Sequence, residues 1–179
     1  MGKLFSEITP DIKEWIENQK MYFVATAPLA NDGHVNCSPK GLDSFRIISP
    51  TKVAYQDLTG SGIETIAHIR ENNRVTIMFC AFEGPPKIYR IYGSGEIILP
   101  GESGFDSTAA QFPQRIGVRA YIIVHITSIT DSCGYGVPLY EFKSERDVLT
   151  KWSDRTGEEG VIKYQQEKNL QSKDGLRGL

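Results

Sequence analysis

The chain has 179 residues, 40% of them hydrophobic, and its 20 Lys and Arg residues nearly balance its 22 Asp and Glu residues. This length suits one ordinary domain with a substantial core. The near-neutral charge and the absence of a basic run argue against nucleic acid as a partner. No stretch approaches the ~20 apolar residues of a membrane span, so we expect a cytoplasmic protein with no membrane partner.

The first predicted elements are a short helix and a β-hairpin. A capping threonine and a proline at the first helical position predict an amphipathic helix over 9–18. Residues 21–28 are rich in Val, Tyr, Phe and Thr and predict a strand, and the turn at 30–33 leads into a second strand over 34–41. This second strand, HVNCSPKG, is unusually polar for a strand beside a core.

The middle of the chain predicts four more strands around one helix. Two short strands, over 45–48 and 52–56, precede a helix over 62–71. The apolar run RVTIMFCAF at 74–82 is typical of a strand covered on both faces, and we expect it inside the sheet. Residues 87–99 predict one long strand that bends at its two internal glycines.

The remaining residues predict one last strand followed by helices. A helical turn at 107–112 precedes a long strand over 118–130, whose apolar residues alternate. Two helices are expected near 145–155 and 158–167. The polar tail at 169–179 is too weakly apolar to fold unaided, so it needs a surface to lie on.

This order of elements predicts a mainly β fold with flanking helices. Six or more antiparallel strands, with one helix after the fourth, indicate a small closed or split barrel. A doubly wound sheet would require regular alternation of strands and helices, which the sequence lacks. We assign residues 1–143 to the barrel and residues 144–179 to a C-terminal helical extension and tail of the same domain.

The stretch VAYQDLTGSG, which leads from a strand into a helix, is a candidate phosphate site. A chain that passes through Gly60 and Gly62 into a helix presents free backbone N–H groups and the positive end of a helix dipole. The same pattern also fits a plain connection capped by Thr59 or Ser61. If the polar strand at 34–41 is a neighbour, its lysine adds positive charge at this place.

Other kinds of site are not indicated. The three histidines and the isolated Cys37, Cys80 and Cys133 lack metal-ligand spacing, so we predict no metal and interpret the cysteines as buried small side chains. A nucleophile elbow, a P-loop and a dinucleotide fingerprint are missing. No residue stands out as an acid or base, and we name none as catalytic.

Several stretches together resemble the pyridoxamine 5′-phosphate oxidase-like, FMN-binding split-barrel superfamily. They are the hairpin DGHVNCSPKG, the strand and turn VAYQDLTGSG, the helix and strand ETIAHIRENNRVTIMF, and the segment GPPKIYRIYGSGEI. The resemblance covers roughly residues 10–130. The later DSCGYGVPL and the tail are similar to a subgroup distinct from the authentic oxidases.

The resemblance implies a homodimer with FMN in a groove at the subunit interface. By position, Asn36, Ser38 and Lys40 would line the flavin, and Tyr55 and Gln56 would lie beside its ring or ribityl chain. Thr59, Ser61, Glu64 and Thr65 would lie at its phosphate, where the oxidases have an arginine-lysine pair. The partner's Trp152 region or Tyr135 would close the pocket.

The resemblance further implies an FMN-dependent oxidoreductase that acts on an unidentified small molecule. Two alternatives stay open at this point. One is a relative that uses a deazaflavin or accepts pyridoxamine phosphate, and the other is a flavin- or ligand-binding protein without turnover.

Overall fold

The computed structural model describes residues 2–179, which contain eight β-strands and four α-helices. The strands are β1 (Leu4–Phe5), β2 (Tyr22–Thr26), β3 (Asn36–Lys40), β4 (Phe45–Ser49), β5 (Lys52–Leu58), β6 (Arg74–Cys80), β7 (Ile88–Ile98) and β8 (Val118–Ser132). The helices are α1 (Pro10–Glu17), α2 (Glu64–Asn72), α3 (Phe105–Ala109) and α4 (Val148–Lys168).

All eight strands belong to one antiparallel sheet. Its order is β3-β2-β6-β7-β8-β5-β4, and β1 pairs with β8 beside this path. The sheet curls into a half-barrel that stays split between its edge strands, β3 and β4. This confirms the predicted mainly β split barrel with flanking helices. The apolar strand β6 lies inside the sheet, as predicted.

Local sequence signals explain several of these elements. The Thr9 hydroxyl accepts a hydrogen bond from the Ile12 N–H at 3.4 Å, and Pro10 begins α1, so the predicted cap is confirmed. The pairing of β7 with β8 shifts register between Tyr92 and Gly93, which confirms the predicted bend.

The core fills the inside of the half-barrel. Val53, Tyr55, Ile77, Ile91 and Ile122 are fully buried there, together with the inward side chains of α1 and α2. A smaller cluster around Phe112 and Tyr121 covers the outer face of β5 and β8. The sheet therefore has apolar contacts on both faces along these two strands.

The C-terminal residues pack back onto the barrel. Helix α4 is interrupted at Gly157, whose φ of 71° and ψ of 168° are not helical, so two helical segments follow each other as predicted. Residues Asn169–Leu179, here called the C-terminal hairpin, fold on themselves through Leu179 N–H to Asn169 O at 2.9 Å. The Arg70 Nε of α2 donates to Gly178 O at 2.7 Å.

The prediction for the cysteines is wrong at two of three positions. Cys80 is buried at the end of β6, but Cys37 and Cys133 are exposed. Cys37 lies on the outward face of the edge strand β3, where no further strand covers it, and Cys133 follows the end of β8.

Candidate functional site

The polar side chains of β3 face the inside of the barrel. In the pairing of β2 with β3, Tyr22, Val24 and Thr26 lie opposite Lys40, Ser38 and Asn36. Opposite residues of an antiparallel pair share a face of the sheet, and all three β2 partners are buried. The unusual polarity of this strand therefore forms a polar inner rim along the split.

At one end of this rim, side chains of β3 bond to the first turn of α2. The Asn36 Nδ2 donates to Thr65 Oγ1 at 3.0 Å and to Thr26 Oγ1 at 3.2 Å, and Ser38 Oγ donates to Asn36 Oδ1 at 2.9 Å. Thr26 Oγ1 also pairs with His68 Nδ1 at 2.9 Å. The polar strand and the helix start are therefore neighbours, as the sequence argument required.

At the other end, Lys40 reaches a buried carboxylate. Asp57 on β5 is fully buried and lies 3.2 Å from Lys40 Nζ and 2.6 Å from Arg119 Nε. Burial by itself raises the pKa of Asp57, but the attraction of Lys40 and Arg119 outweighs it and leaves the pKa below its ordinary value. Two cations face one carboxylate, so this cluster carries a net positive charge.

A β-bulge in β8 determines the position of Arg119. The pairing of β5 with β8 shifts between Asp57, which faces Ala120, and Leu58, which faces Val118, so Arg119 is the extra residue. Bulges redirect side chains, and here the guanidinium turns toward Asp57. It also donates to Asn169 Oδ1 at 3.0 Å and to Gly60 O at 3.3 Å, which links the cluster to the C-terminal hairpin.

The predicted phosphate turn is held mainly through its carbonyl groups and through Thr59. Asn169 Nδ2 donates to Gly60 O at 2.9 Å. Thr59 Oγ1 donates to Gly117 O at 2.8 Å and accepts from Gln165 Nε2 at 2.7 Å, and Ser61 is exposed. Neither hydroxyl caps α2, so the N–H groups of its first turn have no capping side chain.

Tyr55 and Gln56 face opposite sides of the sheet. Tyr55 points inward, with Lys40 Nζ 5.4 Å from its ring centroid. Its hydroxyl lies near Thr65 but makes no regular hydrogen bond within residues 2–179, and burial together with Asp57 keeps its pKa well above 10. Gln56 points outward and accepts from Arg115 at 2.6 Å. A ligand on one face can contact only one of these two side chains.

A cavity of about 1630 Å³ opens beside the Lys40 end of β3. It lies between the β2–β3 hairpin and the segment 140–155. Five aromatic residues contribute to its walls: Phe23, Phe82, Tyr140, Phe142 and Trp152. Lys40 alone among the nine predicted site residues lines it. Trp152 of the same chain reaches this cavity, while Tyr135 is 82% exposed.

Sequence reasoning missed Asp57, Arg119 and Asn169 as parts of the site. One signal was available, because Asp57 shares the inward parity of Val53 and Tyr55 on a predicted strand, and a buried carboxylate requires a cation. The position of Arg119 had no such signal, since its inward direction depends on the bulge. Asn169 lies far along the chain and becomes a neighbour only through the packing of α4.

Within residues 2–179, no group of three or more His, Cys, Asp or Glu side chains is arranged to hold a metal ion. None of the helices in that range is both long and apolar enough to cross a membrane.

An antiparallel split barrel with a polar inner rim and an adjacent aromatic cavity defines the class of this protein. The sequence profile of the pyridoxamine 5′-phosphate oxidase family matches residues 8–133. A pyridoxamine 5′-phosphate oxidase family protein of Aspergillus flavus, ustO, is 38% identical over 196 residues, covering 100% of this chain and 78% of that protein. The chain belongs to the pyridoxamine 5′-phosphate oxidase family.

Solved structures share the fold. HupZ of Group A Streptococcus superposes with a TM-score of 0.55 at 29% identity, covering 70% of this chain and 94% of that chain. An FAD-binding protein of Mesorhizobium loti superposes with a TM-score of 0.50 at 14% identity, covering 73% and 96%. The second likeness concerns the fold alone.

The buried carboxylate yields a stability prediction. Replacing Asp57 with Asn leaves Lys40 and Arg119 without their counter-charge, and we expect a loss of about 3–5 kcal/mol in the free energy of unfolding. The matched control is Asp43→Asn, which removes an exposed pair with Arg46 and should cost less than about 1 kcal/mol. Urea unfolding at pH 7 measures both.

The lowered pKa of Asp57 also predicts how its contribution to stability depends on pH. Because the folded pKa of Asp57 lies below the ordinary 3.8, its stabilisation is complete above that value and is lost as the pH falls through the folded pKa. The stability difference between the native chain and Asp57→Asn should stay constant between pH 5 and 8 and shrink below pH 3.8. A difference that shrinks on raising the pH from 5 to 8 would contradict this assignment.

Proposed function

We propose that this chain binds FMN at the interface of a homodimer and acts as a flavin-dependent oxidoreductase on a small molecule. The observation that carries the proposal is the continuity of three features along β3. The helix start lies at its Asn36 end, the polar rim follows its inner face, and the aromatic cavity lies at its Lys40 end, where Phe23 and Pro39 line it from the opposite face. Membership in the pyridoxamine 5′-phosphate oxidase family supports a flavin as the ligand.

The helix end is suited to a phosphate. Three N–H groups of the first turn of α2, those of Glu64, Thr65 and Ile66, have no intrahelical acceptor and no capping side chain. The Thr65 hydroxyl adds a neutral donor. A helix N-terminus favours anions, so these donors match the phosphate that FMN carries at one end.

The charge of the rim favours the same ligand. Lys40, Arg119 and Asp57 together carry one positive charge in excess, and Lys40 is the member nearest to solvent, with 18% of its side chain exposed. An anion that approaches the rim can share Lys40 with Asp57. Arg119 stays with Asp57 because only 6% of its side chain is exposed.

The cavity end is suited to the flavin ring. From Asn36 to Lys40, β3 spans about 13 Å at ~3.3 Å per residue, which is the separation along the strand between its helix end and its cavity end. The cavity volume of about 1630 Å³ exceeds the ~300–1,000 Å³ of ordinary ligand pockets, which leaves room beside the ring for a substrate.

Bound FMN would supply the hydride or electron transfer itself. The residues of this chain would bind and orient it, and the aromatic walls would exclude water. We assign no acid or base, because Tyr55 has a raised pKa and Asp57 a lowered one, so neither changes protonation near neutral pH. This same observation favours a second candidate function, a flavin-binding protein without turnover.

The binding proposal is tested by titration with FMN. Lys40→Ala combined with Thr65→Ala removes a charged and a neutral donor, and we expect FMN affinity to fall by roughly tenfold or more. Lys40→Arg with Thr65→Ser keeps both donors and should bind nearly as the native chain does. Quenching of flavin fluorescence gives the affinities, and circular dichroism verifies the fold. Equal affinity in both double variants would refute the phosphate placement.

Turnover is tested separately with the flavin-loaded protein. An oxidoreductase should show bleaching of the flavin absorbance by NADH or NADPH without oxygen, and recovery when an acceptor is added. Bound flavin that no nicotinamide, thiol or substrate panel reduces would support the binding-only function. Failure to bind FMN combined with uptake of a deazaflavin or of pyridoxamine phosphate would support the alternative relatives.

The homodimer would use the exposed apolar residues that follow the barrel. Tyr135, Leu139, Tyr140, Phe142 and Val148 are all at least 44% exposed, and a run of this kind marks an interaction surface. We propose that this run contacts a second copy and helps to close the cavity. The three free thiols suit the reducing cytoplasm, where we place the protein.

Light scattering at micromolar concentration tests the dimer. We expect a mass near twice the 20.0 kDa of the chain. Leu139→Glu should shift the mass toward the monomer, because it places a charge in the contact. Leu4→Glu is the matched control, since Leu4 is 73% and Leu139 74% exposed. A monomeric native chain, or equal effects of the two variants, would contradict the proposed interface.

A further inference from the structure

Glu64 places its own carboxylate at the helix end of the proposed flavin site. It is the first residue of α2, and its side chain turns back over the preceding residues. A Cβ added at Gly62 would lie only 2.5 Å from Glu64 Oε2, so the carboxylate rests directly against Gly62. This position belongs to the turn that leads into α2.

The C-terminal hairpin helps to hold the carboxylate there. The Lys173 N–H donates to Glu64 Oε1 at 3.4 Å. The next residue, Asp174, accepts from the N–H of His34 at 2.7 Å and pairs with its Nδ1 at 2.5 Å, which anchors the hairpin to the turn before β3. Glu64 is therefore positioned by the packing of the hairpin.

The Glu64 carboxylate has no cationic partner among the residues that the structure describes. Within residues 2–179, no Lys, Arg or His nitrogen lies within ion-pairing distance of Glu64. Its charge therefore acts on whatever approaches the first turn of α2. The negative charge of Glu64 therefore partly offsets the positive end of the α2 dipole.

We propose that Glu64 is a specificity-determining residue that reduces the advantage of phosphorylated over unphosphorylated flavin. This rests on the proposed function, because it concerns the same site. FMN and riboflavin share the ring and the ribityl chain and differ in a phosphate of about −1.5 to −2 charges at neutral pH. Repulsion from Glu64 weakens the binding of FMN but not that of riboflavin. The ratio of the two affinities therefore depends on the charge of Glu64.

The test compares two ligands on two variants. Glu64→Gln removes the charge and keeps an oxygen that can accept from the Lys173 N–H. We expect FMN to bind roughly tenfold more tightly, while riboflavin affinity changes less than about twofold. Because screening weakens Coulomb repulsion, the gain for FMN should decrease in 0.5 M salt. Fluorescence quenching measures both ligands.

Glu71→Gln is the matched control. It lies on the same helix, seven residues and about 10 Å along the axis from Glu64, and its bond to the Leu29 N–H survives because Gln also accepts. We expect no change in the ratio of FMN to riboflavin affinity. Thermal unfolding verifies that both variants are folded.

The outcomes separate the two proposals. Flavin binding with an unchanged FMN to riboflavin ratio in Glu64→Gln would overturn the role of Glu64 and leave the proposed function standing. An equal gain for both ligands would also overturn it, because the effect would then act through the fold. If neither ligand binds the native chain or the variants, the proposed function itself fails, and the role of Glu64 fails with it.

Discussion

The buried carboxylate of Asp57 is the constraint on which the arrangement of the site depends. A charge without access to water is stable only beside cations and hydrogen-bond donors. Lys40 comes from the edge strand β3, and Arg119 comes from the bulge in β8. Their approach to one carboxylate holds the split side of the barrel together. Because Arg119 also contacts Asn169, the same interaction fixes where the C-terminal hairpin begins.

This arrangement has consequences at both ends of the polar rim. At the helix end, Asn36 joins β3 to Thr65, so the start of α2 and the polar strand are in contact. At the cavity end, Lys40 binds the buried carboxylate through its Nζ, and the same residue forms part of the cavity wall. A ligand that spans the rim would meet excess positive charge and free helix N–H groups, with one opposing carboxylate from Glu64. Family membership and this geometry are the grounds for the flavin site that we propose.

Much of the fold could be predicted because its signals are local. The capped α1, the apolar β6 and the glycine bend of β7 each depend on residues close together in the sequence, and the structure has all three. The short strand β1 was not predicted, because it has only two residues, Leu4–Phe5, and its pairing with β8 carries no local pattern. The cysteine prediction failed at Cys37 because burial depends on whether a strand lies at an edge.

The sequence by itself determined the class of fold and the polar character of β3, since both follow from composition and periodicity, and its motifs carried the family resemblance. Tertiary structure decided which predicted residues share a surface. Strand alternation and pairing turned Tyr55 inward and Gln56 outward, and long-range packing assembled Asp57 with Arg119 and brought the C-terminal hairpin to Glu64. These contacts join residues up to 109 positions apart, so no local pattern could specify them.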